Sequence, residues 1–132
     1  MSYLLDTHVL LWWFSDEAKL SAGQKRVLKA ASAEKPLFVS EISLWEIATL
    51  HELGRIRLGL PLRDWLEAAT APPLVRRMGI TPAVAAEVAA LPSTFHRDPA
   101  DRIIVSTARL LGATLLTRDR LIQKCGLVPT LA

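Results

Sequence analysis

The chain has 132 residues, 51% of them hydrophobic, and its 16 Lys and Arg against 13 Asp and Glu leave a net charge of +3. That length suits one domain, 1–132, with a proper core, and no apolar run reaches the roughly 18 uncharged residues needed to span a membrane. One cysteine, Cys125, excludes an internal disulfide and fits a reducing, cytoplasmic setting, while 6% aromatics argue against a base-stacking platform.

Tyr3-Leu4-Leu5 is an apolar run that stops at Asp6, which predicts a strand, a turn and a short helix from Val9 to Phe14. An acid inside this run and the lack of a basic leader are unlike a signal peptide. Ser21-Ala22-Gly23-Gln24 has capping-box spacing, so a second helix is expected from Ala22 to about Ala33. Pro36 precedes a second strand at Leu37–Val39. Ser40 then caps a helix over Glu41–Leu53, with Gly54 placed to end it.

An irregular stretch to Pro61 leads to a helix over Leu62–Ala71, stopped by Pro72-Pro73. Leu74–Ile80 is the third expected strand, and Thr81-Pro82 opens a helix over Ala83–Leu91. After a polar loop, a helix starts near Asp98-Pro99 and breaks at Gly112. A strand at Ala113–Thr117, a short helix near Leu121 and a last strand within Leu127–Leu131 complete the chain. Apolar strands alternating with helices predict an α/β three-layer sandwich around a mostly parallel sheet of four or five strands.

Four acids stand where a solvated acid would not. Asp6 and Asp119 follow strand ends, at the carboxyl edge where open α/β sheets gather ligands, and taken singly each is equally well read as a helix N-cap. Glu46 shares a helix stripe with Ile42, Leu50 and Leu53, and its neighbours Ser43 and Thr49 supply no cation. Asp101 shares the face of Val105 and Ala108. Asp98 reads first as a helix N-cap, with Pro99 at the first helical position. Two carboxylates about 5 Å apart repel by roughly 3 kcal/mol at an effective dielectric near 20. A converging cluster therefore calls for a divalent cation or for protons. All-oxygen donors suit Mg²⁺ or Mn²⁺; scattered His8, His51 and His96 with one cysteine support zinc poorly.

LLDTH at Asp6, SEISLWEIA around Glu46, HRDPADRIIVSTA around Asp101 and LLTRD at Asp119 together resemble the PIN-domain nucleases, nearest to the VapC-type toxins of toxin–antitoxin pairs. The likeness runs through the whole chain in order and spacing. It implies a PIN-like fold and a Mg²⁺- or Mn²⁺-dependent endoribonuclease that cuts tRNA or rRNA. It further implies a homodimer held inactive by an antitoxin. On the matching positions, Asp6, Glu46, Asp101 and Asp119 are the catalytic and metal-site acids, Glu46 either as a ligand or by orienting the attacking water. Asp98 and His96 belong to a variant H-x-D-P-x-D-R motif, in which Ala100 replaces a residue that is often aromatic.

Thr7, Ser40 and Thr117 lie beside the acids and, with an oxygen of Asp98, are candidates to support them by hydrogen bonds to the carboxylates or their waters. Arg97, Arg102, Arg118, Arg120 and Lys124 are candidates to hold RNA phosphates. The run Leu10–Phe14 is apolar enough to suggest a dimer or antitoxin surface alongside its core role. Among other classes, a haloacid-dehalogenase-like reading needs an acid at position 8, which is His8. A receiver-like reading needs a mid-chain strand ending in Asp, where His51-Glu52 lies in a helix instead. A PIN-like binding module without activity is the alternative that the intact acid set opposes.

Overall fold

A computed structural model describes residues 1–132. The elements run β1 Tyr3–Leu5, α1 Thr7–Ser15, a 3-10 turn Glu17–Lys19, α2 Ala22–Lys29, β2 Leu37–Ser40, α3 Glu41–Glu52 and α4 Leu62–Ala69. They continue with β3 Val75–Met78, α5 Pro82–Ala90, α6 Pro99–Leu111, β4 Thr114–Leu116, α7 Arg120–Lys124 and β5 Thr130–Leu131. All strand pairs are parallel and the sheet order is β3-β2-β1-β4-β5. The expected three-layer α/β architecture is what forms, with five strands.

Successive residues of a strand face opposite sides, and this divides the core in two. Leu5, Val39 and Leu116 turn to the face covered through Val9, Leu10, Leu28, Ile47 and Trp65, from α1 to α4. Leu4 and Leu115 turn to the other face, covered by Leu91, Phe95, Ile104, Val105 and Ile122 of α5 to α7 and their loops. The helix ends follow the local signals. Ser21 and Gln24 close a full capping box, Thr81 accepts from the Val84 amide, and Asp98 accepts from the Asp101 amide at 3.1 Å. Gly54 and Gly112 end α3 and α6 with φ of 71° and 62°, backbone that glycine adopts without steric cost.

Several boundaries and one pattern differ from expectation. α2 stops at Lys29 rather than near Ala33, because Ser32 and Lys35 exchange backbone hydrogen bonds in a turn. α4 stops at Ala69 rather than Ala71, since the residue before Pro72 is disfavoured in helix. The strands are not continuously apolar: β3 carries exposed Arg76 and Arg77, which suits a sheet edge. β5 is reduced to Thr130–Leu131, because Pro129 has no amide to donate to the ladder.

Ile104 lies on α6 against β4, fully buried. Ile104→Ala should lower stability by about 2–5 kcal/mol, measured by urea unfolding. A loss under about 1 kcal/mol would show that this layer repacks freely.

Candidate active site

The order β3-β2-β1-β4-β5 reverses direction between β1 and β4. Chains leaving these two strands at the carboxyl edge diverge to opposite faces and leave a crevice there, the usual ligand position in such sheets. Asp6 leaves β1 and Asp119 stands just beyond β4, so both acids sit at that crevice. The gap is bridged inside the protein: Thr117 Oγ1 donates to Asp6 Oδ2 at 2.7 Å, and the Asp6 amide donates to the Leu116 carbonyl at 2.9 Å.

Each acid is held by its own local structure. Asp6 is the N-cap of α1, its Oδ1 accepting from the Thr7 amide at 2.8 Å, and it is buried. Asp119 caps α7, its Oδ1 accepting from the Leu121 and Ile122 amides at 2.8 and 3.3 Å. Glu46 reaches in from α3, half-buried, and accepts from Thr7 Oγ1, which also contacts Ser43 Oγ at 2.9 Å. Asp101 enters from the first turn of α6, and its Oδ2 lies 2.8 Å from His96 Nε2.

These side chains line one cleft. Asp6, Glu46, Asp98, Asp101 and Asp119 supply its acids, and Thr7, His8, Trp12 and Arg118 complete the wall. Burial pushes three of the carboxyls above their ordinary range, and their neighbours push further. Asp6 is raised first by desolvation, against the hydrogen bonds from Thr117 and Thr7, with Asp119 adding repulsion. Glu46 is raised by desolvation, against the Thr7 hydrogen bond, with Asp6 and Asp98 repelling it. Asp101 is raised to about 6 by desolvation, with Asp6 and Asp98 adding repulsion against the His96 hydrogen bond.

A divalent cation would relieve both the repulsion and the desolvation, and the donors are the hard oxygens that Mg²⁺ or Mn²⁺ prefers. The donor chemistry fits such an ion. The acids nonetheless do not form a ready-made ligand set, since no three acid or imidazole groups close to coordinating distance of one another. Carboxylates that repel one another and hold protein hydrogen bonds stand apart in this way.

Several sequence expectations change here. The apolar stripe expected around Glu46 is not the one α3 buries: Ser43 and Ile47 are its buried residues, and Leu53 is 60% exposed. Glu46 flanks the buried face and faces the cleft. Ser40 touches no acid; its hydroxyl accepts from the Ile42 amide at 3.3 Å as a helix cap. Arg102 is tied into the scaffold rather than lining the cleft: its guanidinium donates to the carbonyls of Phe95, His96 and Val88. Arg97 and Arg120 are exposed but outside the cleft wall, which Arg118 alone of the arginines enters. Of Leu10–Phe14, Leu10 and Leu11 are core, while Phe14 is 46% exposed and packs edge-on against Trp65. His8 and Trp12 also line the wall, a role the sequence patterning does not single out. Their i,i+4 spacing just after Asp6 is the local sign of it, and their rings lie 5.6 Å apart.

Against this geometry, residues 3–126 match the model of the PIN domain. The chain belongs to the PIN-domain family. This PIN-domain chain is 44% identical over 117 residues to Ribonuclease VapC22 of Mycobacterium tuberculosis, covering 89% of the chain and 86% of that relative. Its fold also matches VapBC2 from Rickettsia felis, solved bound to a promoter DNA fragment, with a TM-score of 0.74 over 99% of this chain and 98% of that one at 14% identity. A toxin–antitoxin complex from Klebsiella pneumoniae matches with a TM-score of 0.67 over 99% and 97% of the two chains at 20% identity. Those two similarities speak to the PIN fold alone.

The raised acids give the PIN-domain protein a definite pH response. With Asp101 lifted from 3.8 to about 6, the folded chain keeps a proton that the unfolded chain has already released within that window. Stability from this group therefore falls as pH rises through the window. In metal-free buffer, Asp101→Asn should gain on the wild type as pH climbs from about 4 to about 7, followed by denaturant melts at stepped pH. A difference that stays constant across the series would overturn the burial argument.

Proposed function

We propose that this protein is a Mg²⁺- or Mn²⁺-dependent endoribonuclease, the toxin of a toxin–antitoxin pair, acting on cellular RNA of the tRNA or rRNA class as one PIN domain over 1–132. The observation that carries the proposal is the meeting of Asp6, Glu46, Asp101 and Asp119 in one cleft at the β1/β4 reversal. The 44% identity to a ribonuclease over most of both chains supports the activity. The structural likeness to a toxin–antitoxin complex supports an antitoxin partner.

Asp6, Asp101 and Asp119 would hold the cation, and Glu46 would complete the set or orient the attacking water. A divalent ion bound there lowers the pKa of water and neutralises charge developing on the phosphate. The chain's own residues prepare the rest. Thr117 and Thr7 hold Asp6 and Glu46 by hydrogen bonds and so restrict where these carboxylates stand in the cleft. Arg118, on the cleft wall, supplies a cation against the RNA backbone, which the acids would otherwise repel. Arg97 and Arg120, exposed and outside the cleft wall, would extend that attraction more weakly. Phe14 and Trp45, 46% and 64% exposed, give apolar surface for an antitoxin or a second copy.

Purified protein should cleave RNA with added Mn²⁺ or Mg²⁺ and stop with EDTA. Asp6→Asn and Asp101→Asn should each lower cleavage by at least about a hundredfold, the loss of several kcal/mol of ion-dependent stabilisation. Activity indifferent to EDTA or to both substitutions would overturn the site, and RNA binding without any cleavage would favour an inactive binding module. For the rim, Arg118→Ala should reduce the slope of log affinity against log salt by about one. An unchanged slope would remove Arg118 from the phosphate contacts.

A further inference from the structure

Around Asp101 the chain spends three side chains on holding one carboxylate. Asp98 Oδ1 accepts from the Asp101 amide at 3.1 Å and fixes where α6 starts. His96 Nε2 takes Asp101 Oδ2 at 2.8 Å, both side chains being largely shielded at 23% and 19% exposure. Arg102, the next residue of α6, turns back along the preceding loop. Its Nη1 donates to the Phe95 and His96 carbonyls at 3.2 and 3.4 Å, and its Nη2 to the Val88 carbonyl at 3.3 Å. Phe95 anchors the loop in the core, with the Arg102 guanidinium 5.9 Å from its ring and the His96 ring 4.3 Å away.

The loop that presents His96 is thus fastened to the helix that presents Asp101, by the residue beside Asp101. Without the clamp, a solvent-lapped loop would let the imidazole swing away. With it, the imidazole has one place to stand. When Asp101 is ionised, Nε2–H donates to Oδ2, and Oδ1 accepts no hydrogen bond from the protein.

We propose that His96 and Arg102 are positioning residues: Arg102 pins the 95–96 carbonyls, and His96, so held, fixes the Asp101 carboxylate with one oxygen engaged and the other left for a cation. This rests on the metal-site reading given above and assigns to Arg102 a task other than binding RNA. It also gives the spacing of His96, Asp98, Asp101 and Arg102 a single physical purpose. Each side chain restrains a different freedom of one carboxylate: its helix start, its rotamer and the loop opposite it.

Mn²⁺ binding by titration calorimetry, on the wild type and on His96→Ala, His96→Gln, Arg102→Ala and Arg102→Lys, tests the assignment, with thermal melts to show that each variant is folded. His96→Ala should weaken Mn²⁺ roughly tenfold or more, the usual cost of losing a partner that orients a ligand. His96→Gln, whose amide can donate from a similar position, should recover most of that loss. Arg102→Ala should weaken Mn²⁺ comparably while leaving the salt slope of RNA binding at its wild-type value. Arg102→Lys, lacking the planar fork, should recover little. If Arg102→Ala does not fold, the His96 pair decides. Wild-type Mn²⁺ binding matched by His96→Ala would overturn the positioning role alone. A wild type that binds no Mn²⁺ would remove the metal reading itself, and this proposal with it.

Discussion

Mutual repulsion among carboxylates, in a place where water cannot screen them well, is the constraint on which this structure turns. Asp6 is buried, Glu46 and Asp101 are half-buried, and Asp98 and Asp119 stand at the same crevice. Bringing such groups together destabilises a domain whose total stability is typically about 5–15 kcal/mol. Burial and like charge push the same way on all three raised acids. A fold that keeps this arrangement needs compensation, and the surrounding elements can be understood as supplying it.

The first compensation is in the backbone. Asp6, Asp98 and Asp119 are the N-caps of α1, α6 and α7, so three helix N-termini converge on the cleft. Their unpaired amides and partial positive charge stabilise anions at that end. Capping and site building are therefore not rival explanations of these acids. Each of the three acids satisfies a helix amide and at the same time lines the cleft. Thr7, Thr117 and His96 extend this economy, each tying one carboxylate oxygen to a neighbouring element.

The second compensation is the distribution of basic side chains, which is not uniform. Arg102 is absorbed into the scaffold through three carbonyls, and Arg109 bridges Glu87 and the Leu127 carbonyl. Arg118 remains at the cleft. Two arginines near the acids in sequence thus have opposite fates. Arg102 lies on a helix packed against its own entry loop, whereas Arg118 lies on the exposed turn between β4 and α7. The net charge of +3 says nothing about this division.

By itself the sequence determined the elements and their punctuation. Ser21, Ser40, Thr81 and Asp98 announce helix starts, Gly54 and Gly112 announce ends, and the apolar runs announce strands, because capping and periodicity act over one turn of chain. It also placed Asp6 and Asp119 at strand ends. Tertiary structure decided that those two ends are neighbours: Thr117 and Asp6 touch across 111 positions, a contact set by strand order. It decided too that Glu46 flanks its helix's buried face rather than lying within it, that His8 and Trp12 line the cleft, and that Arg102 serves the loop. Local rules cannot reach these outcomes, because they depend on which surfaces of distant segments are left facing one another once both sides of the sheet are covered.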